Sequence, residues 1–152
     1  MERTKNLLLA SGFWLLASGL SAQPCKVKPI VKNCMASLAP YQYDGYLVQK
    51  IVYGPKAKKE SIEFAVYSGE EYKCKWVFGK TVLPLEVGIT IYDGNPKTKG
   101  KIVFIDESGT KDNFVCNFLP TKTGTYYIEY EIPAATAPNQ KGCFVMLIGI
   151  LE

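Results

Sequence analysis

The acidic side chains fall in two places where they could do chemistry. Four of them lie in neighbouring predicted turns and could offer oxygen ligands to a calcium ion: Asp93, Asp106, Glu107 and Asp112. Their spacing matches no EF-hand loop, and acids in turns commonly cap backbone amides instead. Glu129 and Glu131 could form a glycoside hydrolase pair, but strand alternation puts both on one outer, solvated face. The sequence therefore assigns no catalytic, cofactor-binding or metal-binding residue.

Histidine is absent from all 152 residues. This excludes serine or cysteine nucleophiles activated by an imidazole, histidine-ligated zinc and histidine pH switches. A hydrolase with an unrecognised carboxylate or serine–lysine site is kept as a third alternative. The net charge of +4 is too mild to suggest a nucleic-acid partner.

Five cysteines remain in the predicted mature chain, so at least one of them stays unpaired. No Cys-x-x-Cys spacing occurs, which disfavours a thiolate zinc site. We expect a bridge between Cys25 and Cys34, which enclose a short loop. Cys116 and Cys143 could pair if their strands are neighbours, or could be two buried thiols. Cys74 shares a strand face with Tyr72 and Trp76 and is predicted to be a buried free thiol.

Ten tyrosines are more than a domain of this size must bury. Several lie near the beginning of the mature chain: Tyr41, Tyr43, Tyr46 and Tyr53. Residues 41–46 could form a platform for a sugar ring or a partner surface, or their rings could fill the core. Lysines cluster in two loops and could attract an acidic glycan or simply keep the loops soluble: Lys56, Lys58, Lys59, Lys97, Lys99 and Lys101.

The first 22 residues predict a signal peptide. Arg3 and Lys5 precede an apolar run over residues 7–17, and small residues surround a cleavage position after Ala22. The run is short for a membrane span, which needs about 20 apolar residues. We therefore expect one domain over residues 23–152, secreted or periplasmic, in a compartment where disulfides persist.

The mature chain alternates between short apolar runs and turn signals. Period-two patterns and two-sided apolar runs predict eight strands, over residues 45–53, 61–68, 72–78, 87–92, 101–105, 114–118, 125–132 and 143–151. The turn residues Asp93, Gly94, Asn95 and Pro96 predict a hairpin. The run 101–105 is apolar on both faces, so we expect it inside a sandwich or against another element. One helical turn is expected near residues 34–38. The fold class is all-β, an antiparallel sandwich of the jelly-roll kind.

A weak motif lies in the last 65 residues. Residues 89–93 are followed by Phe118-Leu119-Pro120 and by residues 123–128, in the pattern of a strand, an F-x-P…G-x-Y-Y-I corner and a strand. The pattern resembles pre-peptidase C-terminal domains and GOLD-like domains, as in small secreted proteins of Bacteroidetes-type bacteria. The resemblance implies a non-catalytic β-sandwich, and it carries no catalytic residue to this chain.

These observations favour a secreted binding or accessory module whose ligand is a glycan or an envelope protein. The alternative is a structural assembly protein that pairs through an open strand edge. No cofactor, nucleic acid or integral membrane segment is expected for the mature chain.

Overall fold

The computed structural model of the chain describes residues 25–106, 114–137 and 140–152. A helix, α1 (Val27–Cys34), and a 3-10 helix (Met35–Leu38) come first. Eight strands follow: β1 (Gln42–Val52), β2 (Lys58–Val66), β3 (Lys73–Lys80), β4 (Gly88–Asp93), β5 (Lys101–Asp106), β6 (Phe114–Phe118), β7 (Gly124–Ile132) and β8 (Lys141–Leu151). The predicted signal peptide and its cleavage after Ala22 lie outside the described residues, and the single domain over residues 23–152 stays a prediction.

The strands form two four-stranded antiparallel sheets packed face to face. The first sheet has the order β1-β8-β3-β6 and the second has the order β2-β7-β4-β5. Strands that follow each other in sequence change sheets at every connection except the β4–β5 hairpin. This is the strand order of a jelly roll, so the predicted all-β sandwich and its eight strands are confirmed.

The space between the sheets is filled by aromatic rings around Trp76. Its indole is fully buried and lies 5.5 Å from the ring of Phe64, 5.4 Å from Phe118 and 5.6 Å from Tyr126, centroid to centroid. Edge-on and tilted contacts of this kind stabilise aromatic clusters beyond the area that they bury. As predicted, Tyr126, Ile128, Tyr130 and Ile132 of β7 all point into this core.

The corner between β6 and β7 is closed by a tyrosine. The hydroxyl of Tyr126 donates to the Lys122 carbonyl at 3.1 Å and accepts from the Lys122 amide at 3.2 Å. The two partners are four positions apart in sequence, as in the tyrosine corners that join the sheets of other sandwiches. The residues that carried the F-x-P…G-x-Y-Y-I motif therefore form a sheet-to-sheet corner, a feature shared by many sandwiches.

The outer face of the first sheet is covered by α1. Its apolar residues recur at helical spacing, so Val27, Ile30, Val31 and Cys34 lie against the sheet. Pro29 is tolerated because the first turn of a helix has no carbonyl partner for its amide. A second small core forms beneath the helix with residues of β3 and β8. The central strand β8 is thus buried on both faces, which explains why it is apolar on both sides.

The disulfide predictions were wrong. Cys25 bonds to Cys143, with the two Cα atoms 5.8 Å apart and the residues 118 positions apart in sequence. Cys34, Cys74 and Cys116 are free and buried. Cys34 cannot reach Cys25 because it faces the sheet at the end of α1, and Cys116 faces the core between the sheets while Cys143 faces the helix. The prediction of a buried thiol at Cys74 is confirmed.

The placement of β5 in the interior was also wrong. The predicted β4–β5 hairpin is present, but β5 is the edge strand of the second sheet. Phe104 packs on the core, whereas Ile102, Val103 and Ile105 are 43–54% exposed. A two-sided apolar run is compatible with either position, and here no element covers its outer side among the described residues.

Raising the pH is expected to destabilise the fold through Tyr53. Burial raises the pKa of this tyrosine to about 12, and its hydroxyl donates to the Leu85 carbonyl. A pKa raised by folding means that the native state holds the proton more tightly. The contribution of the protonated Tyr53 hydroxyl to stability is therefore complete below pH 10 and is lost as the pH rises towards 12. Between pH 9 and 11 this group alone should cost about 1.3 kcal/mol of unfolding free energy.

Urea titrations of the wild type and Tyr53→Phe at pH 8, 9, 10 and 11 test this dependence. Because the variant cannot ionise at position 53, the stability difference between the two proteins should shrink above pH 10. Parallel curves over this range would contradict the prediction.

Candidate binding surface on the first edge strand

The first edge strand carries an exposed stripe of large side chains. Four residues of β1 point to the outer face of the first sheet and are 38–46% exposed: Tyr43, Tyr46, Val48 and Val52. We call these four residues the β1 stripe. Opposite them in the register lie Gly149, Leu147, Val145 and Lys141 of β8. Val145 and Leu147 of β8 lie under α1 on this face, whereas the β1 stripe lies on a part of the face that the helix leaves open.

A bulge at Asp44 places the two tyrosines on one face. The register of β1 against β8 shifts between Tyr43 and Gly45. In a regular strand, residues three apart point to opposite faces, so Tyr43 and Tyr46 would diverge. The extra residue restores them to the same side, and bulges are a common means of re-aiming side chains at sheet edges.

The tyrosine platform predicted over residues 41–46 is thus present only in part. The ring of Tyr41 is half-buried, with the Lys75 ammonium 5.8 Å from its centroid. Tyr53 is buried in the core between the sheets. The structure brings Tyr43 and Tyr46 together with the two valines, which the sequence analysis did not single out. The available signal was the alternation along residues 46–52, in which Tyr46, Val48 and Val52 fall on one face of the strand.

A small pocket opens beside β1. It has a volume of about 160 Å³, and we call it the edge pocket. Its lining comes from the edge strands of both sheets and from β3, β8 and the β2–β3 turn: Asp44, Phe64, Ala65, Val66, Tyr67, Tyr72, Cys74 and Ile148. Since a cavity of about 150 Å³ can hold a benzene-sized molecule, the edge pocket fits the end of one side chain rather than a whole organic ligand.

Two tyrosines and one carboxylate stand at the mouth of the edge pocket. The rings of Tyr67 and Tyr72 lie 5.7 Å apart, and Tyr67 is 70% exposed. A hydrogen bond from the Gly69 amide to the Tyr72 carbonyl, 2.7 Å long, closes the turn between them. Both tyrosines lie near the facing ends of the predicted strands 61–68 and 72–78, and the short Gly69-Glu70-Glu71 segment between these strands was a signal that the two rings would meet.

Negative charge surrounds Tyr72. Partial burial raises the pKa of its hydroxyl, and the Cys74 thiol and the charges of Asp44 and Glu152 raise it further. Lys73 lies next in sequence but points to the outer face, opposite Leu151. Lys75 also points outward, where it donates to the Ser37 carbonyl. The mouth of the edge pocket is therefore acidic on a chain that is basic overall.

The three free thiols are poor nucleophiles. Burial raises the pKa of Cys34, Cys74 and Cys116, and Asp106 raises that of Cys116 further. Reactive cysteines have a lowered pKa and some access to solvent. The opposite trend here marks all three as structural.

The acidic residues do not converge. Asp93 and Asp106 lie at opposite ends of the β4–β5 hairpin, separated by about 13 Å of strand, while Glu107 and Asp112 lie outside the described residues. Glu129 accepts from Lys59 at 3.0 Å and from the Tyr92 hydroxyl at 3.5 Å, and Glu131 is exposed beside it. Within the described part of the chain, no three potential ligands come together to hold a metal ion.

The serine–lysine alternative is not tested by the structure. The sequence has a Ser-x-x-Lys spacing at Ser108 and Lys111, and both residues lie outside the described ranges. The hydrolase therefore stays a prediction.

The two lysine clusters lie at opposite ends of the sandwich. Lys58 and Lys59 begin β2. Lys58 forms a salt bridge with Glu60 at 2.7 Å, and Lys59 forms one with Glu129 at 3.0 Å. Lys97, Lys99 and Lys101 are exposed around the β4–β5 turn. The clusters do not form one basic surface.

Comparison with known proteins finds similarity among solved structures. No family model and no curated protein matches the chain. Among solved structures, it is similar to PliG of Aeromonas hydrophila, a periplasmic inhibitor of g-type lysozyme, at 8% identity and a TM-score of 0.45. The match covers 72% of this chain and 87% of that one. In the described residues, neither helix is long and apolar enough to cross a membrane.

Proposed function

We propose that this chain is a non-catalytic binding module that acts outside the cytoplasm and holds a protein partner against β1. The observation that carries the proposal is the β1 stripe, four large side chains left open beside a helix that covers Val145 and Leu147 of β8 on the same face. A glycan ligand, the other class that the sequence suggested, is treated below as an outcome of the test.

The chemistry of β1 supports a protein partner. Tyrosine and apolar side chains are typical of the centres of protein interfaces, where charged residues are depleted. Lys50 is the one charged residue on the outer face of β1, between Val48 and Val52. An edge strand also offers unpaired backbone amides and carbonyls, and soluble proteins usually protect such edges with several charges or a proline. A partner could use both features by adding a strand or by packing on the stripe.

The remaining features support a non-catalytic role and an oxidising location. The described thiols have raised pKa values, and the described acids are dispersed. The Cys25–Cys143 disulfide is of the kind that persists in extracellular or periplasmic compartments. The predicted signal peptide over residues 1–22 would deliver the chain there.

Site-specific photo-crosslinking tests the proposal in the cells that make the protein. A photoreactive residue replaces Val48 in the β1 stripe, or Ser61, an exposed residue on the outer face of β2, as a matched control. We expect one adduct of defined mass from position 48 and none from position 61. Tyr46→Lys in the position-48 chain should reduce the adduct at least about fivefold, since it places a charge in the interface core.

The outcomes of this experiment are distinct. Equal labelling at positions 48 and 61 would contradict the proposal. Saturable binding on a glycan array that is lost with Tyr46→Ala, without a protein adduct, would replace the protein partner by a glycan.

A second candidate is self-assembly through strand edges. It is favoured by the exposed Ile102, Val103 and Ile105 on the other edge strand, β5. Light scattering on the full-length mature chain separates the two candidates, because a binding module tolerates a monomer and assembly requires an oligomer. An oligomer that dissociates with Ile105→Lys, and an adduct at position 48 whose mass is that of a second copy, would favour assembly.

A further inference from the structure

The edge pocket adjoins the β1 stripe, because one of its lining residues, Asp44, directly follows Tyr43 of the stripe in sequence. Asp44 is also the bulge residue between the two tyrosines of the stripe. A partner that packs on the β1 stripe would therefore have the mouth of the pocket within reach of its own side chains.

The lining of the edge pocket selects the chemical class of a guest. Buried Val66 and Cys74 and half-buried Phe64 and Ile148 supply apolar contact, suited to an aliphatic stem. Tyr67 and Tyr72 supply the faces of two aromatic rings at the mouth. A planar cation stacked on such rings gains an electrostatic attraction that a neutral group lacks.

The charges at the mouth of the edge pocket are negative, which is opposite in sign to a cationic guest. Asp44 lines the pocket, and its charge and that of Glu152 act on the Tyr72 hydroxyl. Glu70 and Glu71 are exposed in the adjoining turn. The nearest lysines of β3 point to the other face of the sheet, so they do not neutralise this region.

We propose that the edge pocket receives an arginine side chain of the protein partner, with the guanidinium at the mouth, against the Tyr67–Tyr72 pair and beside Asp44. The inference rests on the proposed function, because the arginine belongs to the partner held against β1. The volume of about 160 Å³ matches one such side chain, and arginine is among the residues enriched at the centres of protein interfaces.

The test uses a small probe and NMR spectroscopy of the ¹⁵N- and ¹³C-methyl-labelled mature chain. The probe is N-acetyl-arginine methylamide, and N-acetyl-citrulline methylamide is its neutral control of nearly the same shape. We expect the arginine probe to shift signals of Asp44, Val66, Tyr72 and Ile148 at millimolar concentrations, with much smaller shifts from the citrulline probe.

Variants connect the shifts to the pocket. Asp44→Asn keeps the shape of the side chain and removes its charge, so it should weaken the arginine probe roughly fivefold, the upper range for an exposed ion pair. Tyr67→Leu removes one ring at a position that is 70% exposed and should also weaken it. Ser61→Ala, on the outer face of β2 and outside the pocket, should leave the affinity of the probe unchanged.

Three results would overturn the inference: no shifts up to 50 mM of the probe, equal affinities for the arginine and citrulline probes, or no effect of Asp44→Asn. An adduct from position 48 in the crosslinking experiment would still support the proposed function in those cases. Conversely, the crosslinking experiment could give no adduct at position 48 while the arginine probe still binds. That combination would contradict a protein partner at β1 and leave the pocket as a separate cation site.

Discussion

Replacing both Cys25 and Cys143 with alanine is expected to lower the free energy of unfolding by about 4 kcal/mol. The bridge joins residues 118 positions apart, and for a loop of this length the loss of denatured-state entropy contributes at most about 5 kcal/mol. Cys25 lies two residues before α1, so the bridge also fastens the helix to β8. Urea denaturation at pH 7, followed by tryptophan fluorescence, measures the change.

Two controls isolate the disulfide. Reducing the wild-type protein should reproduce the loss seen in the double variant, and Cys34→Ala, which removes only a free thiol, should cost about 1 kcal/mol. Peptide mapping without reductant should recover the segments that contain Cys25 and Cys143 as one linked species. If Cys34→Ala proved as costly as the double variant, the short-range pairing would be correct instead.

Trp76→Ala is expected to cost about 3–5 kcal/mol, the range for large aromatic residues removed from a core. Its ring contacts Phe64 and Tyr126 of the second sheet, so the substitution opens a cavity at the junction of the two sheets. Thermal and urea unfolding followed by far-ultraviolet circular dichroism measures the effect without relying on the fluorescence of this residue.

Trp76→Phe should be much milder, at about 1–2 kcal/mol. The smaller ring still fills most of the site, and the substitution removes an indole N–H that is buried without a hydrogen-bond acceptor. The indole N–H lies near the Cys74 thiol and partly offsets the rise in the Cys74 pKa that burial causes. The two groups do not have the geometry of a hydrogen bond. Tyr67→Ala, at a ring that is 70% exposed, is the matched aromatic control and should change stability by less than about 0.5 kcal/mol. A Trp76→Ala variant as stable as this control would contradict the described core.

The strands were predictable because their signal is local. Residues 61–66 alternate between core and solvent with period two, and residues 93–96 form a turn whose backbone requirements are met by their own side chains. The helix α1 was harder to detect, because eight residues show only two turns of the helical period. The free thiol of Cys74 followed from its place on the face of Trp76.

The candidate site was only partly predictable. The segment of residues 41–46 was singled out for its tyrosines, but the face that each ring occupies depends on the bulge at Asp44. The edge pocket depends on two edge strands from different sheets, β1 and β2, that are brought together by the packing of the sandwich. Neither feature has a signature in a window of neighbouring residues.

The sequence by itself determined the all-β class, the approximate bounds of eight strands and the inward face of β7, since alternation and turn chemistry act over a few residues. Only the tertiary structure decided that β8 is central and β5 is an edge, although both are apolar on two sides. It also decided that Cys25 bonds to Cys143 rather than to Cys34. The physical reason is that strand order and helix docking bring together residues more than a hundred positions apart, and the part of the outer face that α1 covers determines which part of that face stays open for binding.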